Sequence, residues 1–298
     1  LLHEVFPECV NRKLPNQYVR EFLNTLEPLD LKNFYFFKAD IKNFYDSINY
    51  DSLFLLLRAR IRSKKILTLI KRAVTNPTVN PHHKSSPGSK IKKDKGVPQG
   101  LAISNILANI YLYAFDELIG KGCTKYLRYV DDIFVIVKKG KEDNFEALIA
   151  NELLARHLEA NPEKADKGAL TESFDYLGYR IEYPLVSVRL STVDKFLSSM
   201  AAKFTAYRHN SARKVDNMPW FTRDVAKVAF LEELNEKITG AISEKRRYGW
   251  IFYFLEINDN PLLFKLDKII ASFFERLDDF GNKPPAGLKR LVRAHYEA

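Results

Sequence analysis

Two adjacent carboxylates, Asp131 and Asp132, stand between two strand-forming runs, residues 125–130 and 133–137. Tyr, Val, Ile and Phe on both sides favour a β-hairpin with the acids at its tip. No Gly, Pro or Asn is present there to make an ordinary turn. Like charges placed side by side at a tight bend repel each other, and oxygen-only ligands of this kind suit a hard cation such as Mg²⁺. Standing alone, such a pair reads as a solvated acidic turn. A second acid upstream changes that reading.

Residues 33–41 form a short aromatic run that ends in Asp40 and then Ile41, with the length and composition of a buried strand. A carboxylate at the end of a buried strand is costly unless it is paired or metal-bound. If this strand lies beside the hairpin, Asp40 and Asp131 can hold two divalent ions about 3.5–4 Å apart, the spacing of phosphoryl-transfer sites. Asp51 and Ser52 are expected to cap the helix that follows. Between the acids, Gly96-Val97-Pro98-Gln99-Gly100 is a rigid loop whose backbone can approach a ligand closely. Ser104 is expected as the N-cap of the next helix, with Ile103, Leu107, Ile110, Ala114 and Leu118 as its core stripe.

The 298 residues are 46% hydrophobic, enough for a substantial core and well above the range of disordered chains. A net charge of +10 calls for a polyanionic partner, which fits nucleic acid. No apolar segment approaches a membrane span, so no membrane partner is expected. Cys9 and Cys123 are too few for a disulfide scaffold or a cysteine-rich zinc site, and a cytoplasmic location is the natural expectation. His82-His83 lies in a polar, basic stretch, residues 76–95, which reads as a loop that touches nucleic acid.

Asp40-Ile41-Lys42-Asn43-Phe44-Tyr45-Asp46-Ser47-Ile48, Gly96-Val97-Pro98-Gln99-Gly100 and Tyr129-Val130-Asp131-Asp132 resemble motifs A, B and C of reverse transcriptases, in order. Leu158-Glu159-Ala160-Asn161-Pro162-Glu163-Lys164 resembles motif D, and Phe174-Asp175-Tyr176-Leu177-Gly178-Tyr179-Arg180-Ile181 resembles motif E, the primer grip. Lys245-Arg246-Arg247-Tyr248-Gly249-Trp250 is similar to the Gly-Trp-containing thumb of group II intron-type bacterial enzymes. The resemblance is close over residues 31–181 and loose beyond.

It implies an α+β right-hand polymerase: a palm of antiparallel strands, partial fingers and a helical thumb, with fingers and palm in residues 1–181 and a mainly helical thumb in residues 182–298. The implied activity is RNA-directed DNA synthesis with Mg²⁺ or Mn²⁺. The implied partners are an RNA template or structured non-coding RNA, a DNA product strand, dNTPs, and an accessory protein or oligomer. Asp40, Asp131 and Asp132 would be catalytic and, with Ile41, form the metal set. Lys164 would be the general acid for pyrophosphate. Tyr45 would be the steric gate against ribose, and Gln99 and Gly100 would meet the nucleotide. Arg128 and Tyr129 would contact primer or pack, while Lys245, Arg246 and Arg247 would neutralise duplex phosphates. No RNase H, integrase or endonuclease pattern appears in these residues, which turns the expectation towards a domesticated bacterial enzyme in anti-phage defence. A retron or intron-type enzyme and a non-catalytic RNA-binding scaffold are the alternatives.

In the final third, Val186–Leu190 reads as a strand and helices are expected over residues 193–207, capped by Ser191 or Thr192, then 221–237 and 261–277. A basic linker is expected from Asn210 to Pro219.

Overall fold

The strand β1 (Phe34–Asp40) pairs on one side with β3 (Asp132–Lys138) and on the other with β4 (Asp166–Ala169), and β2 (Lys125–Tyr129) completes an antiparallel sheet of order β2-β3-β1-β4. This computed structural model describes residues 1–75, 95–217, 222–243 and 246–297. The chain divides into two compact units: Leu1–Lys13 with Phe22–Leu170, and Leu14–Glu21 with Thr171–Ala298. The β-hairpin of residues 174–181 therefore falls with the second unit.

In the first unit the sheet is accompanied by α1 (Leu2–Val5), the end of α2 (Pro15–Leu26), α3 (Phe44–Ser47), α4 (Tyr50–Arg60), α5 (Lys64–Thr75), α6 (Ser104–Gly122) and α7 (Glu142–Leu154). Residues 133–137 of β3 are all buried, so this strand is covered on both faces and needs no polar alternation. Ile133, Val135 and Val137 join Phe37 and Ala39 in one core with Leu107 and Phe115 of α6 and Phe145, Ile149 and Leu153 of α7. On the opposite face Phe134 lies between Phe22, edge-on at 5.0 Å, and Phe36, stacked at 5.7 Å.

Several helix boundaries differ from the sequence expectation. The cap of α4 is Asn49, whose side chain accepts the Ser52 N–H, so Ser52 is a donor within the first turn. Ser104 is the first residue of α6 and its buried hydroxyl donates to the Pro98 carbonyl at 2.5 Å, tying the helix to the loop before it. The core face of α6 is also rotated from the expected stripe. Ala108, Tyr111, Phe115 and Ile119 are buried with Leu107 and Ile110, whereas Ala114 and Leu118 face outward.

The second unit carries a meander of β5 (Phe174–Tyr176), β6 (Tyr179–Glu182) and β7 (Leu185–Val188). Helices α8 (Leu190–Asn217) and α9 (Arg223–Thr239) follow, then the hairpin β8 (Ala241–Ser243) and β9 (Arg246–Tyr248), α10 (Trp250–Tyr253), α11 (Asn260–Ser272) and α12 (Leu291–Tyr296). The expected linker from Asn210 is helical as far as Asn217. Extending a formed helix through Ser, Ala, Arg and Lys needs no new nucleus. The same helix begins at Leu190, so Ser191 and Thr192 lie inside it rather than before it.

Leu177 and Gly178 both have positive φ (45° and 84°) and make the two-residue turn between β5 and β6. The Tyr179 hydroxyl donates to the Tyr253 carbonyl and the Tyr253 hydroxyl to the Leu177 carbonyl, closing this turn against α10. Phe204 and Tyr207 of α8, Phe230 of α9, and Phe274 and Phe280 form an aromatic core, with Tyr207 stacked on Phe230 at 4.4 Å. Among the described residues no helix is long and apolar enough to cross a membrane.

Phe134→Ala removes a ring held on two sides and is expected to cost about 3–5 kcal/mol in urea titration. Phe264→Ala, on the exposed side of α11, should stay within about 0.5 kcal/mol by the same measurement.

Candidate active site

Asp40 ends β1 and Asp132 begins β3, and the two are direct partners in the antiparallel register. Residues opposite each other in such a pair share a sheet face, so the two carboxylates face one another. Asp131 is one residue earlier at the hairpin tip, and its carbonyl accepts the Ile41 N–H at 3.1 Å. Asp40 is buried and the other two acids are half-buried. Burial, then the charges of Asp131 and Asp40, pushes the Asp132 carboxyl up to about 6. Burial is also the first cause that raises the Asp131 carboxyl, with Asp40 adding to it.

The tip of the hairpin is strained. Val130 has φ 58°, a left-handed conformation that a β-branched residue adopts at a cost of about 1–3 kcal/mol. The Arg128 side chain is 7% exposed and its guanidinium is held by Asp116. Tyr129 is half-buried opposite Asp132, and burial raises its phenol.

A loop from the far side of β1 brings a cation to Asp40. Lys42 N–H donates to the Glu159 carbonyl at 2.9 Å and Asn161 N–H to the Asp40 carbonyl at 2.7 Å. Within the loop the Asn161 side chain accepts the Glu163 N–H, and the turn lays the Lys164 ammonium 3.0 Å from Asp40 Oδ2. That hydrogen bond is the main cause raising the lysine, which therefore carries its proton at neutral pH. Lys164 remains 61% exposed, so it is free to leave Asp40 for an incoming anion.

Tyr45, on α3, is half-buried and its hydroxyl donates to Asn105 Oδ1 at 2.6 Å. Burial first, and the charge of Asp131 second, raise its phenol, placing the ring in the field of the acids. The Val97 N–H donates to the Tyr45 carbonyl at 2.7 Å and the Gly96 N–H to the Ile48 carbonyl at 2.8 Å, so the loop of residues 96–100 runs along α3. A Cβ on Gly96 would sit 3.0 Å from the Asp46 carbonyl oxygen, a contact only glycine avoids. Gln99 and Gly100 form the exposed turn that follows, and the space beside Gly100 is open.

Arg246 and Arg247 belong to β9 in the second unit. Lys245, His82 and His83 are outside the described residues. Asn105, Asp116 and Asn161 are the residues that sequence reasoning did not single out. Asn105 and Asp116 share one helical face with Asn109, at i, i+4 and i+11, a polar stripe visible in the sequence but overshadowed by the apolar one. Asn161 is followed by Pro162, a turn signal.

Among the described residues no three His, Cys, Asp or Glu side chains converge into a complete metal cage. The donor set nevertheless suits Mg²⁺, which takes one or two carboxylates and fills the rest of its shell with substrate phosphates and water. Two facing carboxylates, Asp132 with its carboxyl raised first by burial and then by the neighbouring acids, and Asp40 already bound to an ammonium, form an anionic site that a divalent ion would relieve.

The family description "Reverse transcriptase (RNA-dependent DNA polymerase)" matches residues 11–181, more than half of the chain. An uncharacterized 91 kDa protein in the cob intron of Schizosaccharomyces pombe is 37% identical over 83 residues, which span 28% of this chain and 9% of that protein. The telomerase of Candida albicans, solved with a TWJ fragment of telomeric RNA, superposes with a TM-score of 0.53 at 12% identity, over 94% of this chain and 54% of that one. Apo telomerase from Candida tropicalis gives a TM-score of 0.49 at 15% identity, over 94% of this chain and 49% of that one. At 12% identity the first of these likenesses concerns the fold alone, and that fold is the α+β right-hand polymerase expected from the sequence. With motifs A to D assembled around one sheet end and the family description matching across them, the chain belongs to the reverse transcriptase (RNA-dependent DNA polymerase) family.

Proposed function

We propose that this chain is an RNA-directed DNA polymerase that extends a 3′-hydroxyl with dNTPs, using Asp40, Asp131 and Asp132. The observation that carries the proposal is the register pairing of Asp40 with Asp132, which brings Asp40 to the distant Asp131-Asp132 pair at one end of a buried sheet. A retired site has no physical reason to keep such repulsion, which weighs against an RNA-binding scaffold without catalysis. The similarity to the intron protein favours the intron-type lineage over the defence-associated one. Residues 171–298 would then serve as primer grip and thumb, with Arg246 and Arg247 of β9 among its cations for duplex phosphates.

Asp40, Asp131 and Asp132, with Ile41 beside them, would hold Mg²⁺ or Mn²⁺. When bound, such an ion acidifies the attacking hydroxyl and neutralises the departing pyrophosphate. The protein's own contribution is chiefly placement and charge. Tyr45, anchored through its hydroxyl by Asn105, presents a ring edge where a ribose 2′-hydroxyl would lie, and so favours deoxyribose. Gln99, on the exposed turn, reaches the nascent base pair without reading its identity. Lys164 arrives protonated and exposed, placed to give a proton to the pyrophosphate oxygen as the P–O bond breaks.

Primer extension on RNA, on DNA and without template tests the reading. Asp131→Ala is expected to abolish incorporation by on the order of 1,000-fold. Incorporation that survives the substitution would show that the acids are not the catalytic set. Tyr45→Ala should raise the use of rNTPs relative to dNTPs by about 10- to 100-fold, and an unchanged ratio would remove its gate role.

The raised carboxyl of Asp132 also sets a pH dependence. A carboxyl whose folded value lies near 6 binds a proton more tightly in the folded chain than in the unfolded one. The stability this provides is fully present below about pH 4, the unfolded value, and is lost as pH rises through about 6. The stability difference between wild type and Asp132→Asn, followed by urea titration, should therefore shift against the wild type from pH 4 to pH 7. Millimolar Mg²⁺ should reverse the shift at pH 7.

A further inference from the structure

The hairpin that carries Asp131 and Asp132 has a two-residue connection, Val130 and Asp131, between β2 and β3. Tight hairpin turns that need positive φ normally use Asn, Asp or Gly, because a side chain branched at Cβ clashes with its own backbone there. Val130 nevertheless has φ 58°. Left to itself, the tip would populate this conformation less than its relaxed alternatives by on the order of 10- to 100-fold. Something must hold it.

Arg128 is placed to do so. Its Nη1–H donates to the Val130 carbonyl at 2.8 Å. Its Nε and Nη2 donate to the two carboxylate oxygens of Asp116 at 2.7 and 2.6 Å. A guanidinium is a planar fork, so once two of its nitrogens are fixed on a carboxylate the direction of the third is fixed too. Asp116 is itself steadied by the Tyr126 hydroxyl at 2.6 Å, and Asn109 Oδ1 lies 3.4 Å from Nη2. Asn109 and Asp116 share a face of α6 with Asn105, which holds the Tyr45 hydroxyl. One helix face thus fixes both the nucleotide-facing tyrosine and the anchor of the hairpin tip.

We propose that Arg128, clamped by Asp116, is a positioning residue for the catalytic hairpin: its hold on the Val130 carbonyl keeps that residue left-handed and so sets where the Asp131 carboxylate lies. The proposal rests on the reading of Asp131 as a catalytic carboxylate. It gives the buried cation a role in catalysis without contact with template, primer or nucleotide.

The test is a double-mutant cycle between Arg128→Lys and Val130→Gly in the full chain, read by steady-state primer extension with thermal unfolding of each variant. Lysine keeps a cation beside Asp116, which preserves the fold, but has no fork to reach Asp116 and Val130 together. With Val130 in place, Arg128→Lys is expected to lower kcat by on the order of 10- to 100-fold, with the KM for dNTP changed less than about threefold. In the Val130→Gly background the same substitution should cost less than about threefold, because glycine adopts positive φ without strain. An equal loss in both backgrounds, or an undiminished kcat in Arg128→Lys, overturns the proposal. So does a lowered melting temperature that accompanies an unchanged kcat. Asp131→Ala, run alongside, separates the two readings: activity that survives it defeats the site assignment, whereas an inactive Asp131→Ala beside a fully active Arg128→Lys defeats the positioning role alone.

Discussion

The antiparallel register that sets Asp40 against Asp132 is the constraint on which the rest of the site depends. At an effective dielectric near 20, two like charges about 4 Å apart repel by roughly 4 kcal/mol, which the exposed Lys164 ammonium on Asp40 offsets only in part. The same register, however, buries Phe37, Ala39, Ile133, Val135 and Val137 on one face and Phe36 and Phe134 on the other. Each large apolar side chain contributes about 1.5–3 kcal/mol when fully buried, so their sum exceeds the repulsion. A slip of one residue would send every one of these side chains to the wrong face. Apolar packing thus holds the acids together, and their repulsion remains as an attraction for cations.

How the chain manages that field at its own expense is visible in the cations around it. Lys164 is delivered to Asp40 by a short loop bonded to the end of β1, and it stays exposed enough to move. Arg128 is spent inside, on Asp116 and on the strained tip. The two cations differ in kind as well as in place. A flexible ammonium suits a transient partner, whereas a rigid guanidinium suits a fixed geometry. The helix α6 links the pieces, since its first residue secures the loop of residues 96–100 and its polar face secures Tyr45 and Arg128.

Much of this was legible beforehand where the signal is local. The aromatic run of residues 34–37 and the apolar run of residues 133–137 read directly as strands, because composition and length suffice for a buried strand. Helix ends were less legible. Asn49 caps α4 two residues before the acid-and-serine pair expected for it, and Ser104 turns back to Pro98 instead of capping α6. Short polar side chains choose among several nearby backbone partners, and the choice depends on where the preceding loop runs. The core face of α6 differs from the expected stripe for a related reason. A helix covered on several sides carries apolar residues nearly all round, so spacing alone does not say which ones face inward.

By itself the sequence determined the family: acids, an aromatic, glycines and a lysine stand in the order of the reverse transcriptase motifs, on a chain whose positive charge suits nucleic acid. Tertiary structure decided the pairings. Asp40 meets Asp132 across the sheet, Lys164 rather than a more basic stretch supplies Asp40 with its cation, and Arg128 turns inward to Asp116. Local propensity carries no term for contacts between residues dozens of positions apart, and those contacts are selected only when the whole core closes.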